Sequence, residues 1–347
     1  MHAAQADADA LVSADTWSNF ASDSVATCPL PVEFGGAGLW DDRFGLEQCT
    51  ILRILGAADL TVARLFEGHL NAIGLVCRYG TADQVGDLAC DVVNGALSAV
   101  WGAEDAVGLK IVGGGIGSVL EGRKILASGA GVVTRPLVTA TGSDGQQMCL
   151  LRMNPGYKHD VEGWQAQGMR ATATGTVDFT GMPVTDHELV GKPNDYMQQP
   201  TFSGGAWRFC AAHVGAVERL VDLFKQHLIE TKRGEDAYQL QRLAVCVSSA
   251  KTARFWVEET ASRMAGGSDP AETVAIAHLT RMTVERSALT VMETVQRGIG
   301  LRAFVRPNEV ERICRDLSTY LRQPAPDLAM SDAAKTFLTA SIGVGDF

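Results

Sequence analysis

No two of the eight cysteines are spaced as C-x-x-C, and no Cys/His cluster has the spacing of a zinc site. No metal is therefore expected. Most of the cysteines stand among apolar neighbours, as in Leu75-Val76-Cys77 and Val245-Cys246-Val247. That setting predicts buried free thiols in a reducing compartment. There is no apolar run of about 18 residues, so no membrane-spanning helix is expected. Positive charge is in deficit, with 30 Lys and Arg against 40 Asp and Glu and a formal net charge of −10. A protein that holds nucleic-acid phosphates normally carries the opposite balance, so nucleic acid is a poor partner. Residues 1–17 lack both the basic region and the long apolar stretch of a secretory signal, and a cytoplasmic location is expected.

What is present is enough apolar material to build a core. Apolar residues make up 46% of the chain and charged residues 20%, which argues against extended disorder. The 347 residues exceed the ~100–200 of a typical domain, so two or three domains are expected. The texture divides in three: residues 1–94, 95–195 and 196–347. The first part is helical with breaks. Leu46 to Ala57 and Leu60 to Val76 carry apolar residues at i, i+3 and i+4. A Pro- and Gly-rich loop, Pro29 to Gly38, precedes them. Gly80 reads as a helix stop and Thr81 as the next N-cap. The middle part is rich in glycine and in short β-branched runs: Ile111-Val112, Ser118–Leu120, Gly131–Thr141, Met148–Met153 and Thr174–Phe179. Turn signals at Gly113-Gly114-Gly115, Ser143-Asp144-Gly145 and Asn154-Pro155-Gly156 separate them, as in a small β barrel or sandwich. The last part returns to long helical periodicity over Gly205–Thr231, Ala237–Ala265, Pro270–Gly298 and Asn308–Leu321, which predicts an antiparallel four-helix bundle. The fold class is thus α+β multidomain.

Six segments in order resemble motifs of the acyl-CoA dehydrogenase superfamily of flavoproteins. They are the loop Pro31-x-Glu33-x-Gly35-Gly36-x-Gly38; His69 with Tyr79-Gly80-Thr81 and Gln84; Gly95 to Gly108; Leu120 to Gly129; Gly168 to Thr174; and Glu311-Arg312-x-x-Arg315-Asp316. The resemblance implies FAD between the β domain and the bundle, and a homodimer or homotetramer. It also implies a small acyl substrate such as a CoA thioester, and an electron-transfer partner. By the same resemblance Trp101, Ala103, Glu104, Leu126 and Ser128 line the flavin. Arg233 corresponds to the cation that meets the pyrophosphate from a neighbouring subunit. Gln296, Gly298 and Gly300 resemble a shortened adenosine loop. His69 and Trp207 are candidates for the substrate pocket.

The departures bear on chemistry. A dehydrogenase of this kind needs a carboxylate base for the α-proton while the flavin takes the β-hydride. Counting on from Arg315-Asp316, the family's Glu position falls on Pro324. The family's second position for the base, before Arg208, holds Trp207. The Ser and Thr of the family's flavin segment are replaced by Leu109 and Ala103. Asp327, after a rigid proline segment, is the remaining candidate for the base. A sister branch of the fold, the two-component flavin monooxygenases, needs no such base. It often carries a His near the helix after Arg-Asp, and no His follows His278 here. The expected function is therefore an FAD-dependent, acyl-CoA dehydrogenase-like oxidoreductase. The alternatives are a monooxygenase of the same fold and a non-catalytic scaffold.

Overall fold

The computed structural model describes all residues except 1, 14–15, 18, 21–22, 114–116, 155, 342 and 346. Gly114, Gly115 and Pro155 of the predicted turns lie outside the described residues. The element order is helices, then strands, then helices. In the first part are α1 (His2–Asp9), α2 (Gly45–Ala58), α3 (Leu60–Tyr79) and α4 (Ala82–Val93). Asp59 separates α2 from α3 in an extended conformation, and its carboxylate caps α3 by accepting from the N–H of Thr61 at 2.9 Å. Thr81 caps α4 with Gln84 as its reciprocal partner, a capping box. The Gln84 amide also donates to the carbonyls of His187 and Leu189, which ties α4 to the edge of the sheet.

The strands are β1 (Ser98–Trp101), β2 (Leu109–Val112), β3 (Val119–Ala127), β4 (Arg135–Gly142), β5 (Gly145–Leu150), β6 (His159–Asp160), β7 (Gly175–Asp178) and β8 (Leu189–Val190). They form a sheet in the order β6-β7-β3-β2-β4-β5-β8, with β1 parallel to β4 in register Trp101–Val138. The predicted strand over Gly131–Thr141 begins only at Arg135, because Gly129 to Val133 turn tightly through Val132 N–H to Gly129 O and Val133 N–H to Gly129 O.

The last part holds a short turn of helix, α5 (Thr201–Gly204), then α6 (Trp207–Glu230), α7 (Ala237–Gly266), α8 (Pro270–Ile299), α9 (Glu309–Tyr320) and α10 (Pro326–Thr339). Cys210, Val214, Val217, Leu220, Phe224 and Leu228 form the buried stripe of α6 at three- and four-residue spacing. The bundle is not made by the last part alone, because α2 of the first part packs along α6. The proline segment that precedes Asp327 leads directly into α10, which lies against α8. Among the described residues, no helix is long and apolar enough to cross a membrane and no group of His, Cys, Asp and Glu could hold a metal ion. All eight thiols are free.

The three parts meet at α9. Gly168 and Met169, in the loop before β7, donate their N–H groups to Thr319 Oγ1 at 3.0 Å and to Asp316 Oδ1 at 2.6 Å. Arg315 donates to Asp7 of α1, to Glu311 and to the Gln167 carbonyl. A Cβ on Gly168 would lie 2.0 Å from the Arg315 carbonyl oxygen, so only glycine allows the approach. Burial pushes the Asp316 carboxyl up to about 6, against the opposing pull of the Met169 N–H and of Arg312. A carboxyl whose folded pKa exceeds its unfolded value adds most to stability below about pH 4 and loses that contribution as pH rises through about 6.

Two outcomes are expected. Gly168→Ala should lower unfolding free energy by about 2–4 kcal/mol in urea titrations, since the seam must part to admit a methyl. The melting temperature of Asp316→Asn, taken relative to the parent, should climb between pH 4 and pH 7; a flat difference would show that Asp316 ionises normally.

Candidate functional site

A cleft of about 500 Å³ opens where α3, the start of α6, the first half of α8 and the segment from Tyr320 to Asp332 converge, with Val100 of β1 and Tyr196 on its other wall. Its volume suits a small organic ligand. Its lining is unusual for an acyl chain, because Arg64, Arg78, Arg208 and Arg281 all contribute to it.

The two buried carboxylates in the lining, Asp42 and Glu67, are each held by arginine. The Asp42 carboxylate accepts from Arg208 on one oxygen and from Arg78 on the other. That of Glu67, 4% exposed, accepts from Arg64 on Oε2 and from Asn71 on Oε1. Asp332 lies exposed at the rim, 3.4 Å from Lys335. The local sequence explains these clamps: Arg64, Glu67 and Asn71 fall at i, i+3 and i+7 on α3, so the helix aligns them on one face. Burial disfavours charge on Arg64, but Glu67 outweighs it and holds its pKa above the ordinary value. The Tyr320 hydroxyl is buried beside Arg64, whose guanidinium stands 5.9 Å from the centre of its ring. Burial and the nearby Glu67 carboxylate push that phenol well above its usual pKa.

Pro324 lines the cleft. The position counted for the family's Glu therefore faces the right space and carries no acid. Asp327 does not replace it, because it is exposed in the first turn of α10 and does not line the cleft. Trp207 is fully buried in the core, while its neighbours Ala206, Arg208 and Phe209 line the cleft. His69 is also a core residue. Its Nε2 donates to the Ala26 carbonyl at 2.8 Å and its Nδ1 accepts from the Ser98 N–H at 3.0 Å. With both nitrogens used and burial pushing its pKa to about 4, it is a neutral joint between α3 and β1.

Of two further histidines on the bundle, which sequence spacing did not single out for the cleft, one lines it and the other stands behind Tyr320. His278 lines the cleft, and its buried Nδ1 has no hydrogen-bond partner among the described residues. Burial and Arg281 hold its imidazole below the ordinary pKa. His213 stacks edge-on against Tyr320 at 4.5 Å, and burial, with Arg64 nearby, pushes it to about 3. The only sequence signal for this grouping was the i, i+3 spacing of His278 and Arg281 on α8.

The β-domain candidates come together at one edge. The Trp101 indole N–H donates to the Ser128 carbonyl at 3.0 Å, and the Ser128 hydroxyl accepts from Thr174 at 3.3 Å. Trp101 is thereby a core residue, 2% exposed, and not a lining one. Ile125 donates to the Ala103 carbonyl at 3.1 Å. The pairing of β3 with β7 breaks between Lys124 and Ala127, which leaves Leu126 at φ +52° and 59% exposed. The fully buried Lys124 ammonium holds this edge by bonding Glu104, the Gly102 carbonyl and the Thr139 hydroxyl at 3.0 Å. Glu104 is thus engaged within the domain.

Arg233, Gln296, Gly298 and Gly300 lie away from the cleft. Arg233 pairs with Asp236 at 3.0 Å. Gly298 lies flush against Phe224, where a Cβ would come within 2.4 Å of the ring, and its carbonyl accepts from Gln239. Gly300, at φ +79°, ends α8. At 1.5 Å per residue, the 17 residues from Arg281 to Gly298 separate them by roughly 25 Å along α8.

Residues 1–95 match the family model for the acyl-CoA dehydrogenase N-terminal domain. No curated protein matches the sequence. Among solved structures, the chain is similar to methanesulfinate monooxygenase MsuC from Pseudomonas fluorescens, at 16% identity over 99% of this chain and 94% of that one, with a TM-score of 0.84. It is similar to KijD3 in complex with FMN and a dTDP-linked amino-keto sugar, at 19% identity over 96% and 88%, with a TM-score of 0.83. It is similar to butyryl-CoA dehydrogenase from Megasphaera elsdenii, at 17% identity over 96% and 92%, with a TM-score of 0.83.

Replacing Lys124 with methionine should cost about 3 kcal/mol of stability, because the partnered Glu104 and Thr139 lose their cation. Hydrogen exchange should rise selectively over Gly102 to Glu104; uniform protection would remove Lys124 from its role as the clamp.

Proposed function

We propose that this chain, a divergent member of the acyl-CoA dehydrogenase superfamily, is a flavin-dependent oxidoreductase that oxygenates a small polar substrate. The observation that carries the choice of oxygenation is that both buried carboxylates lining the cleft, Asp42 and Glu67, are held by arginines, while Asp332 is exposed beside Lys335 and Pro324 stands at the position counted for the family's Glu. Removal of an α-proton needs a free base within reach of carbon. Oxygen transfer from a reduced flavin does not.

The residues present fit a flavin. The β3 bulge exposes Leu126 and leaves it outside the ladder to β7, beside Ala103, so a flat ring would find an apolar shelf with a free backbone edge. Trp101, Ser128 and Lys124 hold that shelf from beneath. A bound reduced flavin would supply two electrons and, with molecular oxygen, place one oxygen atom on the substrate and release the other as water. The chain's own contribution is orientation and exclusion. Arg64, Glu67 and Asn71 form a fixed polar wall, and the neutral His213 and the un-ionised Tyr320 add no competing charge. The flavin is read as FAD or FMN. By the family resemblance, an adenosine moiety would be met by Arg233 and the Gly298–Gly300 turn of a neighbouring copy, in a homodimer or homotetramer. Reduced flavin would come from a separate reductase as the electron-transfer partner.

The test uses the purified chain with FMN or FAD. Short- to long-chain acyl-CoAs added without oxygen should leave the flavin spectrum unchanged, while reduced flavin should bind at least as tightly as oxidised. Bleaching by any acyl-CoA would return the chain to the dehydrogenases. Failure to bind flavin in either redox state would make the scaffold reading the correct one.

A further inference from the structure

Of the arginines that line the cleft, Arg281 alone has no carboxylate within ion-pair distance among the described residues. Arg64 is paired with Glu67, and Arg78 and Arg208 share Asp42. The acid one turn along α8 from Arg281 is Glu285, and its Oε1 is taken by Arg322 at 2.8 Å. Among the described residues, the one protein hydrogen bond from the Arg281 guanidinium goes to the Pro324 carbonyl at 2.7 Å. A guanidinium carries five donors, so most of its fork is left for something else. The group is half-buried, lies 5.8 Å from the centre of the Phe209 ring, and is desolvated enough to hold its pKa below the ordinary value. A desolvated cation without a counter-charge is costly unless a ligand supplies one. His278, one turn before it on α8, lines the same space.

We infer that Arg281 is the recognition point for an oxyanion head group, so that the substrate of the cleft is a small carboxylate, sulfonate or phosphonate. Its remainder would extend along the apolar side chains of Leu70, Leu75 and Val100 towards the β domain. The bond to Pro324 serves this role. It fixes the fork against the turn before α10, so the guanidinium is ordered before any ligand arrives. The planar fork suits bidentate capture of two oxygens in a way that a lysine would not. A plain acyl tail, by contrast, would have to displace water from this cation with nothing to offer it.

This inference deepens the oxygenase reading and rests on the same cleft, but its test needs neither flavin turnover nor oxygen. Propionate, methanesulfonate and methylphosphonate, with uncharged propionamide as the control, are titrated into the whole protein at fixed ionic strength and followed by calorimetry. At least one anion should bind saturably and propionamide should not; the anion that binds most tightly identifies the head group. Arg281→Gln should weaken that anion by about 10- to 100-fold, as expected for loss of a charge-assisted pair. Arg281→Lys should lie between the two. Arg297→Gln, on the exposed face of the same helix and paired with Glu293, should match the parent. If Arg281→Gln does not fold, the lysine variant decides, because it keeps the charge and loses the fork. Binding of no anion, or equal binding by the Arg281 variants, overturns the inference. Flavin binding without anion binding would defeat this inference alone, and anion binding without flavin would defeat the oxygenase reading alone.

Discussion

The hydrogen bond from the Met169 N–H to the Asp316 carboxylate, with Arg315 reaching Asp7 beside it, is the constraint on which the rest depends. Gln84 and His69 join the first part to the β domain, but α9 is where all three separately patterned stretches of chain come together. Hydrophobic packing brings α9 to the bundle but is non-directional. The polar contacts fix how the β domain sits, because a buried N–H and a buried carboxylate satisfy each other only in one register. Tyr320 ends the same helix, so the seam also sets one wall of the cleft.

The cleft shows how charge can be present in quantity and still be directional. Asp42 and Glu67 between them engage three of the four arginines, and those contacts act as rigid walls. What remains is a single cation on α8 facing a space with apolar sides. Such an arrangement selects by what it leaves unpaired more than by what it touches, since unpaired buried groups carry the larger energetic penalty.

Much of the fold was legible, because periodicity is a local property. The helices over Leu60–Tyr79, Ala237–Gly266 and Pro270–Ile299 follow their apolar spacing, and the Thr81 cap was visible as Thr followed three residues later by Gln84. The start of α10 was hidden, because two prolines and Ala325 at φ +51° read as a turn. The site was only partly legible. Pro324 could be counted to its place from Arg315-Asp316. The clamp of Glu67 by Arg64 and Asn71 is local to α3, whereas the joint made by His69 and the isolation of Arg281 depend on groups far away in sequence. His278 was passed over because its role depends on where α8 crosses the turn before α10, which no local pattern encodes.

Helix α8 has one further consequence. It runs unbroken from Pro270 to Ile299, with cleft residues in its first half and the Gly298 contact with Phe224 at its end. Adding or removing one residue between them would turn one end by about 100° against the other. Arg281 would leave the cleft, or Gly298 would leave its seat. The middle of α8 can therefore accept substitutions but not insertions.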